Sequence, residues 1–82
     1  MDNKELHEIR MKVGDCLRSH RRGKGLTVKG AAEITGYTPN TIQRLEEGHI
    51  DLGYSKLLAY CRSLGMDAHI STKEYGKFWQ LS

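Results

Sequence analysis

Apolar residues recur along this chain at two different periods, and the change between them divides it. From residue 3 to 22, Leu6, Ile9, Val13 and Leu17 fall at spacings of three and four, which places them on one stripe of an α-helix. Asp2 or Asn3 can cap its start, and Gly23, Lys24 and Gly25 end it. Gly14 interrupts the stripe where glycine weakens a helix. A second helix is predicted from Val28 to about Thr35, with Thr27 as N-cap, Ala31, Ala32 and Ile34 as its apolar side, and Gly36 as its stop. Gly30 stands where a capping box would need Glu or Gln. Thr38 followed by Pro39 marks a third start: a hydroxyl cap, then a proline whose missing N–H costs nothing at the first helical position. That helix runs from Pro39 to Glu47 and stops at Gly48, with Ile42 and Leu45 facing inward. A fourth runs from about Tyr54 to Leu64, on a stripe of Tyr54, Leu57, Leu58 and Cys61, with Gly65 as its cap. The period then drops to two. Met66, Ala68 and Ile70 alternate with Asp67, His69 and Ser71, which predicts a short strand, and the aromatics Tyr75, Phe78 and Trp79 follow it.

Within this pattern, Leu26 to Gly48 is two short helices joined by a tight, glycine-containing turn. That is the layout of a helix-turn-helix, whose second helix is shaped to enter the DNA major groove. Asn40, Gln43, Arg44 and Glu47 follow i, i+3, i+4, i+7 spacing and share the face opposite Ile42 and Leu45. Asn and Gln can bond adenine through two hydrogen bonds, and Arg can do the same with guanine, so Asn40, Gln43 and Arg44 are the expected base readers. Glu47 is open to two roles: accepting from cytosine or repelling phosphate. For phosphate contacts the expected set is Arg18, Arg22, Lys24, Thr27, Lys29, Thr38, Thr41 and His49.

Charge strengthens this picture. The net charge is +3, and no acid lies between Asp15 and Glu33, where Arg18, Arg21, Arg22, Lys24 and Lys29 cluster with His20. A local positive field of that kind suits a polyanion such as double-stranded DNA. The 82 residues make one small domain with a single core. Residues 1–65 are expected to form the DNA-binding domain, with the motif at 27–47, and 66–82 a C-terminal strand and tail. No apolar run approaches the ~18–20 residues of a membrane span, and MDNKELHE carries no signal-peptide core, so a cytoplasmic location is expected and no membrane partner. Cys16 and Cys61 match no disulfide or zinc spacing and are expected to stay reduced. His7, His20, His49 and His69 are scattered, and no Ser/His/Asp set or phosphate loop appears. The expectation is a protein that is not an enzyme, with no catalytic residue, metal or cofactor.

The same residues resemble the phage-repressor type of helix-turn-helix regulator, the Cro-like or xenobiotic-response-element family, over roughly Leu17 to Met66. Arg21 and Gly25-Leu26-Thr27 match its approach to the second helix, and Ala32 and Gly36 its small helix and turn positions. Thr38, Ile42, Arg44, Glu46 and Gly48 match it through the third helix, and Leu57, Leu58, Leu64 and Gly65 through the fourth. The resemblance implies an all-α fold, a compact four- to five-helix lambda-repressor-like bundle, here with a short C-terminal β-strand. It also implies an ion pair between Arg21 and Glu46 that holds the third helix in place. The chain departs from the family at Val28, where glutamine commonly holds a phosphate, and at Pro39, a position that often reads a base; Ala31 and Leu52 also differ from the usual leucine and proline. The function implied is a transcriptional regulator, expected to be a repressor. Symmetric dimers are the usual form, with the 66–82 tail as the expected contact. Gly65 to Ile70 resembles the post-helix strand of antitoxin-like repressors, so an antitoxin that regulates its own operon and binds a toxin protein is the alternative. Pairing of that strand between two chains and folding back on its own chain both stay open.

Overall fold

The computed structural model describes residues 2–66 and two short strands, 68–69 and 80–81. Expectations for Ile70, Tyr75, Phe78 and Trp79 lie outside these described residues. The chain forms α1 (Asn3–Gly23), α2 (Val28–Thr35), α3 (Pro39–Glu46) and α4 (Tyr54–Ser63), then β1 (Ala68–His69) and β2 (Gln80–Leu81). Each of the first three helices starts on a side chain that satisfies an orphan backbone donor. Asp2 Oδ1 accepts from Glu5 N at 2.8 Å, Thr27 Oγ1 from Gly30 N at 3.0 Å, and Thr38 Oγ1 from Thr41 N at 3.1 Å. Gly36 closes α2 in the left-handed conformation, at φ 82°, and turns the chain into α3.

The core is Leu17 from α1, Ala31 and Ala32 from α2, Ile42 and Leu45 from α3, Leu57, Tyr60 and Cys61 from α4, and Leu64 and Met66 beyond it. Two residues assigned to apolar faces are largely exposed: Ile34 and Tyr54 are each 52% exposed. Ala31 and Ala32 define the inward side of α2, and at 3.6 residues per turn Ile34 points about 110° away from their midpoint. Tyr54 is the first residue of α4, at the edge of the core, where it lines a crevice with Leu45 and Leu57. Leu6, Ile9 and Val13 are only partly buried, so the α1 stripe reaches full burial at Leu17.

Gly14 has a use that periodicity does not reveal. It is buried, and a Cβ built on it would fall on the Glu46 carbonyl and within 2.8 Å of the Leu45 carbonyl oxygen. Its lack of a side chain lets α1 lie directly against the last turn of α3. Gly48, at φ 80°, makes the matching approach from the α3 side, where a Cβ would meet Met11 Cγ and N at 2.8 Å. The two glycines set the depth of the α1–α3 crossing.

After α4, β1 pairs antiparallel with β2 of the same chain, Ala68 opposite Leu81 and His69 opposite Gln80. A second strand, at residues 80–81, carries no period in the sequence that predicts it. Cys16 is half-buried and Cys61 fully buried, and both are free thiols; burial pushes Cys61 up to about 11. Among the described residues, no helix is long and apolar enough to cross a membrane.

Candidate nucleic-acid interface

The frame of the interface is the seam between α1 and α3. Glu46 is 2% exposed, and Arg21 is 5% exposed. Arg21 Nε donates to Glu46 Oε2 at 2.7 Å and Nη2 donates to Oε1 at 2.9 Å, a two-pronged contact suited to the planar guanidinium. Arg21 Nη1 donates to the Leu26 carbonyl at 2.7 Å, so the same side chain ties α1, the α1–α2 loop and α3 together. The hydrogen bond to Glu46 raises the Arg21 pKa, against the opposing effect of burial. Tyr60 packs beneath them, and its hydroxyl has no hydrogen-bond partner among the described residues. Burial, with a lesser push from the Glu46 charge, moves that hydroxyl up to about 12.

On the outer side of α3, Asn40, Gln43, Arg44 and Glu47 are all exposed. Glu47 is also the C-cap, its N–H donating to the Gln43 carbonyl at 3.0 Å, while Gly48 N–H donates to the Leu45 carbonyl at 3.2 Å. Gln43 sits on the flank nearest α1, where it lines a crevice with Arg18, Arg22, Val28 and Glu47 over the buried Glu46. A second crevice continues along the seam, lined by Arg18, Glu47, His7, Asp15 and His49.

The expected phosphate residues divide into those at the seam and those apart from it. Arg18 and Arg22 stand in the first crevice beside the start of α2, where Thr27 and Lys29 are exposed. Thr38 and Thr41 form a hydroxyl pair at the start of α3, 2.8 Å apart. That bond uses one hydroxyl hydrogen and leaves the other to donate outward. His49 stacks on His7 with ring centroids 5.9 Å apart, and the His7 ring nitrogen lies 3.2 Å from the Gly48 carbonyl. Lys24 does not line either crevice, and its ammonium lies beside Gly65 at the end of α4. Arg18 is turned onto carboxylates of its own chain, with Nε 3.5 Å from Glu46 Oε1 and Nη1 3.9 Å from Asp15 Oδ1. Sequence reasoning missed His7 and Asp15, because their link to α3 is a crossing of helices rather than a spacing. Asp15, three residues before Arg18, carried the only available signal.

A four-helix bundle that grips α3 from behind and leaves its polar face open defines a helix-turn-helix protein. Comparison with known proteins agrees. Residues 12–69 match the family model for the helix-turn-helix domain. The crystal structure of the clp gene regulator ClgR from C. glutamicum is similar, with 34% sequence identity and a TM-score of 0.65, covering 68% of this chain and 72% of that one. No curated protein matches. The chain belongs to the family of helix-turn-helix transcription regulators.

Proposed function

We propose that this protein binds double-stranded DNA sequence-specifically and acts as a transcriptional repressor, with α3 lying in the major groove. The observation that carries this is the contrast on α3 itself: a helix fixed by a buried ion pair presents Asn40, Gln43 and Arg44 to solvent. Eight residues of helix span about 12 Å, which matches the width of the groove. Asn40 and Arg44 stand at the middle of the outward face, and Gln43 reads from the flank. Arg18, Arg22, Thr27, Lys29, Thr38, Thr41 and His49 hold phosphates around it, with Lys24 adding charge at longer range. ClgR is by its title a gene regulator, and that role is the one carried over here.

One such helix reads only a few base pairs, so a homodimer on a two-fold site is the working form. The 66–82 segment is its proposed contact, and the cytoplasm its location. Selection from random duplex DNA tests the reading. The expected product is a palindrome whose half-sites lie about 10 base pairs apart or a multiple of that. A selection with no enrichment, together with no binding to any duplex at low salt, would falsify it. Sedimentation of the full chain against a chain ending at Gly65 separates the dimer contact: a full chain that stays monomeric at high micromolar concentration removes the tail from that role.

A further inference from the structure

We propose that Arg18 is a DNA phosphate ligand stored on two carboxylates of its own chain, and that Asp15 sets how readily it is released. This rests on the DNA-binding reading and deepens it. Arg18 and Arg21 lie one helical turn apart and both approach Glu46. Arg21 commits Nε, Nη1 and Nη2 to hydrogen bonds and is shut away from solvent. Arg18 commits none. Its contacts to Glu46 and Asp15, at 3.5 and 3.9 Å, are ion pairs without a hydrogen bond, and its side chain is 32% exposed. A guanidinium has five N–H donors, so Arg18 carries the full set that a phosphate can engage.

Its position makes that exchange cheap. Arg18 is shared by the crevice that holds Arg22 and Gln43 and by the one that holds His7 and His49, so it stands at the centre of the seam beside α3. When Arg18 swings to a phosphate, Glu46 keeps both oxygens bonded by Arg21, and the α1–α3 grip is undisturbed. Asp15, 73% exposed, returns to water. Two loose carboxylate contacts, neither of them a hydrogen bond, are traded for a phosphate contact. Asp15 is therefore an internal competitor of DNA, and a positioning residue for Arg18.

A double-mutant cycle tests this: wild type, Asp15→Asn, Arg18→Ala and the double variant. Each is titrated with the selected duplex at several salt concentrations and melted without DNA. Asp15→Asn is expected to tighten binding by about two- to fivefold, the range that a loose exposed pair can withhold. Arg18→Ala is expected to weaken it and to lower the slope of log Kd against log salt by about 1, with little change in melting temperature. In the Arg18→Ala background, Asp15→Asn is expected to do nothing. An equal gain in both backgrounds overturns the proposal, since Asp15 then acts only by repelling DNA. So does an Arg18→Ala protein that melts much earlier with an unchanged salt slope, which makes Arg18 structural. A wild type that binds no duplex at low salt overturns the DNA reading and this proposal with it; the first two results overturn this proposal alone.

Discussion

Glu46 and Glu47 are neighbours in the chain, but the turn of about 100° between them carries one inward and the other out to solvent. Glu46 is buried and held by Arg21 through two hydrogen bonds. Glu47 is exposed, and its carboxylate makes no ion pair among the described residues. The difference is one of division of labour. The inward side of α3 spends its polar groups on fixing where the helix sits. The outward side leaves its polar groups unspent, which is the state needed for meeting a partner. Variants on the inward side are expected to change stability, and variants on the outward side are expected to change DNA binding alone.

The largest effect is expected from Glu46→Ala. It leaves Arg21 buried without its anion, which costs about 3–5 kcal/mol when burial is this complete. Thermal unfolding should show the loss directly. Gly14→Ala acts on the same seam by sterics, because the new Cβ meets the backbone of Glu46 and Leu45, which cannot swing aside. Overpacking of that kind costs about 1–3 kcal/mol. If either variant melts with wild type, the seam does not set the stability of the bundle.

The outward side comes next. Asn40→Ala is expected to weaken binding to the selected site by about 1–3 kcal/mol and to relax preference at one base pair. Its melting temperature should stay at the wild-type value. A matching loss on random DNA would make Asn40 a general contact rather than a reader.

The sequence speaks unevenly about these two sides. The caps at Asp2, Thr27 and Thr38 and the stop at Gly36 are local signals, since side chain and partner lie within three or four residues, and the helix ends fall close to where they point. The exposed face of α3 follows from its period in the same way. The seam was less legible. Arg21 and Glu46 are 25 residues apart, and only the family resemblance linked them. Gly14 read as a weak point because helix propensity describes an isolated helix, while its use is a close approach to another one. Ile34 misled because a short helix with two alanines inward has one turn too few to define a stripe. The pairing of β1 with β2 depends on a contact between distant segments with no alternation in the second.

Tyr60 tests the inward side from the core. Its hydroxyl is buried without a partner among the described residues, a cost of about 1–3 kcal/mol. Tyr60→Phe should therefore raise stability by roughly 1 kcal/mol. Its pH signature has a fixed sign. The folded-state value, about 12, lies above the ordinary tyrosine value of 10. Between pH 10 and 12 the unfolded chain ionises this hydroxyl while the folded one does not, so stability is unaffected below pH 10 and falls toward pH 12 by on the order of 2–3 kcal/mol. Tyr60→Phe should show a smaller alkaline decline than wild type; an equal decline would assign it to other groups.

Thr38 gives the smallest effect and the sharpest test, because it belongs to both sides. Its hydroxyl oxygen caps α3 by accepting from Thr41 N, and it faces the Thr41 hydroxyl at the end of the helix nearest the proposed phosphate. Thr38→Ala should cost about 1 kcal/mol of stability through the lost cap and should weaken DNA binding as well. Thr38→Asp separates the two. Aspartate caps as well as threonine and favours the positive end of the helix dipole, so stability should hold within about 0.5 kcal/mol. The same carboxylate would face a phosphate, so binding to every duplex should fall, most steeply at low salt where charges are least screened. A Thr38→Asp protein that is stable and still binds DNA like wild type would place the start of α3 away from the phosphate backbone, and the docking of the whole helix would have to be turned accordingly.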